Sequence, residues 1–238
     1  YTDTSAASTG SSNYPNLILA SGTSLSLSRS EYFGDISGSG TINLSSSATV
    51  FFKSASTTTY SGTVTGTGTV SISSSASGNL TLSGSMSGVT GGVSLSSMAS
   101  GSTVRIASNN IFASGTSVTV PAGATMQLGA ADGSNLSISG VTLALATSAT
   151  AQGGGKLRNV AGDNIWSGAI TLNNNSVLTI DTGTSLNLTN TSPGTTIAAS
   201  SSAFFNLTNG NLTIAKLVGT SAASSKYVKS GSGTLTIT

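Results

Sequence analysis

The side chains that could carry acid–base or ionic chemistry are few in this sequence and widely separated. It has six acidic and eight basic residues, and it has neither histidine nor cysteine. Imidazole, thiolate and disulfide chemistry are therefore excluded, and zinc, haem and iron–sulfur sites lose their usual ligands. We predict neither a cofactor nor a metal ion. The acidic residues are Asp3, Glu31, Asp35, Asp132, Asp163 and Asp181.

A polysaccharide-cleaving site would need two carboxylates, or a carboxylate and a basic group, that meet across the scissile bond. Glu31 and Asp35 are four residues apart and close to Arg29. This spacing could form a site, but a surface ion pair with Arg29 is the simpler interpretation. We predict that the protein is not an enzyme, and a carbohydrate-active enzyme is kept as an alternative.

The other charged residues predict exposed turns and loops. Asp163 follows Lys156 and Arg158, which is typical of a solvated loop. Residues 132–135 read Asp-Gly-Ser-Asn and could offer oxygen ligands to calcium, but they lack the repeated glycine–aspartate signature of calcium-binding β-rolls. An Asp-Gly turn is therefore predicted there. The basic residues are scattered along the sequence, so no binding of nucleic acid is predicted.

The elements that must position these groups are short β-strands. Apolar residues alternate with Ser, Thr or Asn over about three residues, as in Leu25-Ser26-Leu27, and such a period of two indicates a strand with one buried face. Helical spacing is nearly absent, and the 30 glycines disfavour helices. Disorder is disfavoured as well, because the net charge is only +2 and the mean hydropathy is +0.22.

Internal repeats favour a solenoid among the all-β folds. Residues 32–48 align without a gap with residues 60–76, an offset of 28 residues. A second repeat places Gly22, Gly123 and Gly183 between two short strands, where a positive φ is expected. No single unit can bury its own apolar edge, so we expect successive coils to stack.

We therefore predict an all-β fold, a single-stranded right-handed parallel β-helix (β-solenoid) of about ten coils. Ile42 of one layer is expected to lie over Val70 of another. Residues 16–238 are predicted to form the solenoid and residues 1–15 a polar N-terminal arm. An antiparallel sandwich is the alternative fold, although the sequence shows no series of Asn-Gly hairpins.

The repeats resemble the autotransporter-associated β-strand repeat of large bacterial surface proteins. The resemblance rests on the units that begin at Tyr32 and Tyr60, and on residues 229–237, Lys-Ser-Gly-Ser-Gly-Thr-Leu-Thr-Ile. It covers about half of the chain, and residues 129–165 match the pattern poorly. The resemblance implies a parallel β-helix passenger outside the cell that acts as an adhesin or a stalk.

Open strand edges are expected at the two ends of such a stack, and open edges recruit other strands. We predict self-association there through Tyr1, Tyr14, Leu235 and Ile237. The aromatic side chains are predicted to pack in the core, with a sugar-stacking platform as the alternative. They are Tyr32, Phe51, Phe52, Tyr60, Trp166, Phe204 and Phe205.

The predicted function is that of a non-catalytic structural or adhesive protein, secreted and exposed on the bacterial cell surface. We expect it to assemble end to end or by strand exchange into a filament or stalk. Its expected partners are further copies of itself, with surface glycans as further candidates. No membrane span is predicted, because the sequence has no apolar run long enough for one. A glycan-binding or phage-fibre module is the remaining alternative.

Overall fold

Short strands joined by turns make up the described part of the chain. The computed structural model describes residues 14–220 and 225–238. Within these ranges there are 28 strands and no helix. None of the described segments could therefore cross a membrane as a long apolar helix. In chain order, the strands are β1 (Leu17–Leu19), β2 (Ser24–Leu27), β3 (Glu31–Phe33), β4 (Ile36–Gly38), β5 (Thr41–Leu44), β6 (Thr49–Phe52), β7 (Thr57–Tyr60), β8 (Thr63–Gly66), β9 (Thr69–Ile72), β10 (Asn79–Leu82), β11 (Ser85–Val89), β12 (Val93–Ser94), β13 (Thr103–Ile106), β14 (Ser117–Val120), β15 (Thr125–Leu128), β16 (Ser137–Ile138), β17 (Thr142–Leu145), β18 (Lys156–Asn159), β19 (Asp163–Trp166), β20 (Ile170–Leu172), β21 (Ser176–Ile180), β22 (Ser185–Leu188), β23 (Thr195–Ile197), β24 (Ser202–Leu207), β25 (Asn211–Ile214), β26 (Leu217–Gly219), β27 (Lys226–Ser230) and β28 (Leu235–Ile237).

The strands form five sheets in which every pairing is parallel. Sheet 1 has ten strands, β1, β4, β7, β10, β13, β15, β18, β21, β24 and β27. Sheet 2 contains β2, β5, β8 and β11, and sheet 3 contains β3, β6, β9 and β12. Sheet 4 contains β16, β19, β22, β25 and β28, and sheet 5 contains β14, β17, β20, β23 and β26.

The chain winds around three faces and returns to sheet 1 after each turn. In its first half it passes from sheet 1 to sheet 2 and sheet 3, and in its second half from sheet 1 to sheet 4 and sheet 5. The ten strands of sheet 1 span about nine turns. This architecture confirms the predicted β-solenoid, with about nine turns where about ten were expected, and it contradicts the antiparallel sandwich.

The alternating sequence explains why the strands have one buried face. In β5, β6 and β15, for example, burial alternates strictly along the strand. Buried Leu, Ile, Val and Phe side chains of successive coils then form one continuous core. No coil could remove this surface from water alone, so the core is a property of the stack.

The predicted glycine turns are confirmed at three corners of the solenoid. Gly22, Gly123 and Gly183 have φ angles of +77°, +74° and +73°. In each turn the N–H of the next residue donates to a carbonyl three residues before it, at 3.2 Å. This pattern corresponds to a type II β-turn, whose third position requires a positive φ.

The prediction that Ile42 stacks on Val70 is wrong. Ile42 lies in register with Val64, and Val70 lies in register with Val50 and Val93. The coil at this point is 22 residues long, so the 28-residue repeat combines one full turn with the six residues that lead to the next face. The two aligned segments are therefore equivalent in local structure but occupy different sheets.

The solenoid is interrupted near its middle on two of its three faces. Sheets 2 and 3 end at β11 and β12, whereas sheets 4 and 5 begin at β16 and β14. β14 lies beside β12 without pairing with it, and a polar groove of about 390 Å³ lined by residues 89–94 and 113–117 marks the break. The next turn, from Thr125 to Lys156, takes 31 residues, the longest of all. Of the five sheets in the described ranges, only sheet 1 is continuous through the stack.

A buried amide network stabilises the corner that follows β18. Asn159 is polar, yet it occupies an inward position in register with Leu128 and Ile180, and its side chain is fully buried. Its Nδ2 donates to the carbonyls of Gly162 and Ser185 at 3.1 and 3.0 Å. Its Oδ1 accepts a hydrogen bond from Asn164 at 2.6 Å. Because its polar atoms have partners, this side chain can replace an apolar one in the core.

Candidate functional site

The predicted ion pair between Arg29 and Glu31 is present at one end of the solenoid. Arg29 Nε lies 2.9 Å from Glu31 Oε1. The Arg29 side chain is 44% exposed and the Glu31 side chain 16%. Glu31 lies in register with the buried Val50, so its side chain occupies an inward position on the edge strand β3. An inward-pointing charge on an edge strand is a known device against uncontrolled strand pairing.

Asp35 does not join that pair and instead holds the next coil. Its Oδ1 accepts hydrogen bonds from the backbone N–H groups of Ala55 and Ser56, at 3.0 and 3.1 Å. Partial burial raises the pKa of Asp35, but the hydrogen bonds from Ser56 and Ala55 outweigh it and leave this pKa below its ordinary value. The carboxylate therefore stabilises a corner in its ionised form.

The expectation of a solvated loop around Asp163 is wrong. Asp163 begins strand β19, and its Oδ1 accepts a hydrogen bond from Ser185 Oγ at 2.8 Å. Arg158 pairs with Asp181 on the adjacent coil, with Nε–Oδ1 and Nη2–Oδ2 distances of 2.9 Å. The sequence interpretation missed this pair because its members lie 23 residues apart on adjacent coils, a spacing close to one turn that the coil length could have indicated.

The Asp-Gly turn predicted at residues 132–135 is confirmed. Asp132 Oδ1 accepts a hydrogen bond from the Ser134 N–H at 3.0 Å, and Gly133 has a φ of +76°. Hydrogen bonds from Ser134 lower the pKa of Asp132. Within residues 14–220 and 225–238, no three His, Cys, Asp or Glu side chains lie together as metal ligands would.

Four of the aromatic side chains pack in the core, as predicted. Phe52, Tyr60, Trp166 and Phe205 are all fully buried. The hydroxyl of Tyr60 donates to the carbonyl of Gly40 at 2.9 Å, and burial raises the pKa of Tyr60 to about 12. These residues anchor successive turns and offer no surface for a sugar.

Tyr32, Phe51 and Phe204 lie outward, although core packing was expected for them. Tyr14, Tyr32 and Phe51 form a ladder on one face, with ring centroids 5.6 and 4.2 Å apart. Lys53 Nζ lies 5.8 and 5.6 Å from the centroids of the two tyrosine rings, within range of a cation–π contact. Phe204 is also half-buried on the outward side of sheet 1. The ladder joins the first three coils.

The end of the solenoid formed by β1, β2 and β3 is named the N-terminal open end. These strands are the outermost described members of sheets 1, 2 and 3. A cavity of about 630 Å³ opens there. Its lining includes Leu17, Leu19, Leu25, Leu27 and Phe33. All five pack on or within the core, and three of them remain half-exposed.

The opposite end, formed by β26, β27 and β28, is named the C-terminal open end. Leu235 and Ile237 lie in register with the buried Leu212 and Ile214, so they point inward. With no further described coil beyond them, Ile237 is 43% exposed and Leu235 is half-exposed. Tyr227 is 46% exposed and stacks on Phe205 with centroids 5.5 Å apart.

The residues predicted for self-association therefore divide between the two ends. Leu235 and Ile237 lie at the C-terminal open end, with their strand edge unpaired among the described strands. Tyr14 lies beside the N-terminal open end, in the aromatic ladder. Tyr1 lies outside the described residues. Sequence reasoning missed Tyr227 and the apolar lining of the N-terminal cavity, which only the order of the strands reveals.

Comparison with protein-family models, with curated proteins and with solved structures found no significant match to this chain.

Proposed function

We propose that this chain is a non-catalytic structural and adhesive β-solenoid of the bacterial cell surface, which associates with further copies of itself through its two open ends. The observation that carries the proposal is that both ends present strand edges that are unpaired among the described strands, together with apolar side chains that point into the core. The location outside the cell and the role as adhesin or stalk rest on the resemblance to the autotransporter-associated β-strand repeat.

The two open ends match in the spacing of their apolar side chains. A copy stacked head to tail would place β28 beside β2, with Leu235 and Ile237 over Leu25 and Leu27. Each pair is separated by two residues along its strand, so one register aligns both. Parallel pairing between the copies would continue the ladder that already runs through the molecule.

The charges at the two ends favour stacking of unlike ends over stacking of like ends. Glu31 occupies an inward position at the N-terminal open end, and Lys229 occupies an inward position at the C-terminal open end, in register with the buried Phe205. Their opposite signs avoid the like-charge repulsion that two identical ends would create. Head-to-tail stacking is therefore favoured over stacking between two identical ends.

Blocking variants at each end test the proposal by light scattering and electron microscopy of the full chain. We expect wild-type chains to form linear oligomers at high concentration. The double variant Leu235→Asp/Ile237→Asp blocks one end and the variant Leu25→Asp blocks the other, so each alone should be monomeric. A mixture of the two variants should give dimers only, because one intact joint remains.

The matched control is Ile165→Asp, a substitution on the side of the rod at a residue that is 38% exposed. It should assemble like the wild type. A wild-type chain that is a monodisperse monomer at every concentration would refute the assembly proposal. Assembly that the Ile165→Asp variant abolishes, while the end variants do not, would place the contact on the lateral surface instead.

A further inference from the structure

The outward surface of sheet 1 gathers basic residues that are far apart in the sequence. Sheet 1 is the sheet that continues through all the described coils. Its outward positions align in register along the rod. From β10 to β24 one such column reads Thr81, Arg105, Gln127, Arg158, Thr179 and Asn206.

Four of the eight basic residues of the chain lie on this surface, which we name the basic face. They are Arg105 on β13, Lys156 and Arg158 on β18, and Lys226 on β27. Asp181 borders it through its pair with Arg158, and Asp35 directly precedes β4 of the same sheet. Because the whole chain has a net charge of only +2, its positive excess is concentrated on this face.

Three of these positive charges have no acidic partner among the described residues. Arg105 donates from Nε to the carbonyl of Gly129 at 2.7 Å and from Nη2 to that of Ala130 at 2.8 Å, which holds it in place without neutralising it. Lys156 is half-buried and Lys226 exposed, and neither takes part in a described salt bridge. These three residues therefore leave the face with positive charge that no described carboxylate pairs with.

The spacing of these charges is wide, and in the column of Arg105 and Arg158 it is filled by neutral polar groups, whereas the neighbouring column of Lys156 continues through Val177, Phe204 and Val228. Strands are about 4.8 Å apart, so Arg105 and Arg158 are separated by about 10 Å along the rod, and Arg158 and Lys226 by about 14 Å. Between them Gln127, Thr179 and Asn206 offer amides and a hydroxyl. On one side the loop 146–155 borders the face, where Asn206 Nδ2 donates to Gln152 Oε1 at 2.9 Å.

We infer that the basic face binds an acidic polysaccharide whose chain lies along the axis of the rod. Such a polymer combines many hydroxyls with carboxylates at intervals, which complements neutral hydrogen-bonding groups interspersed with separated cations. Duplex DNA has one phosphate for about every 1.7 Å of its axis, a density that this face does not match. The inference goes beyond self-association, because the face lies on the side of the rod and not at its ends.

Binding is tested on immobilised polygalacturonate, with neutral dextran and duplex DNA as comparison polymers. The variant Leu235→Asp/Ile237→Asp is used throughout, so that the measured affinity does not depend on whether the wild-type chains assemble end to end. We expect binding to polygalacturonate that weakens at least tenfold between about 0.05 and 0.5 M salt, since exposed charges are screened at high ionic strength. Dextran should not bind.

Two pairs of substitutions locate the contact. Lys156→Gln/Lys226→Gln should reduce the affinity for polygalacturonate at least fivefold. Lys53→Gln/Lys216→Gln removes the same charge away from the face and should change it less than twofold. Equal losses in both pairs, no binding to polygalacturonate at low salt, or tighter binding to duplex DNA would overturn the inference. Thermal unfolding checks that all variants are folded.

Discussion

The substitution Asn164→Ala would remove the centre of the buried amide network beside β19. The Asn164 side chain is 1% exposed, and its Oδ1 accepts a hydrogen bond from the backbone N–H of Leu136 at 2.6 Å. Its Nδ2 donates to Asn159 Oδ1 at 2.6 Å and to the carbonyl of Ala161 at 2.8 Å. The variant would leave these groups without their partner, in surroundings that exclude water.

The expected loss follows from the number of buried groups left unpaired. The Leu136 N–H and Asn159 Oδ1 belong to buried residues, whereas Ala161 is half-exposed and its carbonyl can bind water. A buried group without a partner costs about 1–3 kcal/mol, so two groups give about 2–6 kcal/mol. That is a large part of the stability of a typical domain, about 5–15 kcal/mol.

Equilibrium unfolding in urea, followed by tryptophan fluorescence, measures this loss. Trp166 is the single tryptophan, is fully buried, and lies on the same strand two residues beyond Asn164. The matched control is Asn211→Ala, at an exposed strand position in the same sheet, for which the change should stay within about 0.5 kcal/mol. The comparison requires that the free energy of unfolding decreases with urea concentration at the same slope in both variants, because solenoids can unfold in parts.

A loss from Asn164→Ala no larger than that from Asn211→Ala would refute the reasoning. It would mean that water or a local rearrangement satisfies the Leu136 N–H and Asn159 Oδ1 without the amide. A loss that appears only as a smaller slope, with an unchanged midpoint, would instead indicate that the corner already unfolds separately from the rest of the solenoid.

Three further predictions concern single corners and anchors of the solenoid. The pKa of Asp35 is lowered in the folded chain, so its charge stabilises the fold above the ordinary carboxyl pKa and this contribution is lost as the pH falls through the folded value. Thermal melts should therefore show Asp35→Asn less stable than the wild type near neutral pH and equal to it in acid, and a gap that persists in acid would contradict this. Gly183→Ala should cost about 1–2 kcal/mol in urea unfolding, because alanine is strained at a φ of +73°. The space around Gly183 is open, so no clash adds to this cost, and Gly183→Asn should cost less because asparagine tolerates a positive φ. Tyr60 should reach half-ionisation only near pH 12 in a spectrophotometric titration, and Tyr60→Phe should cost about 1 kcal/mol through loss of the bond to Gly40. An ordinary tyrosine pKa, or a cost near zero, would show that this hydroxyl is accessible to water.

Much of the local structure could be predicted from the sequence, because it depends on neighbours along the chain. Alternation of Leu with Ser in a segment such as β2 determines which side is buried, and Gly22 determines where the chain turns. The pair of Arg29 with Glu31 and the turn at Asp132 were predictable for the same reason.

Contacts between coils could not be predicted, because they depend on how many residues each turn contains. The turns range from 17 residues, between Ser24 and Thr41, to 31, between Thr125 and Lys156. A change of length in one turn shifts every later contact. The 28-residue repeat therefore predicted the wrong partner for Ile42, and the pair of Arg158 with Asp181 had no local signal.

The sequence by itself determined that this protein is a stack of short strands with turns at glycine, since backbone conformation and side-chain alternation are local properties. Only the tertiary structure decided which residues share a face. Arg105, Lys156 and Lys226 look scattered in the sequence, yet all three lie on sheet 1. The physical reason is that parallel pairing fixes the register of each turn on the one before it, and that register converts variable distances along the chain into fixed positions along the rod.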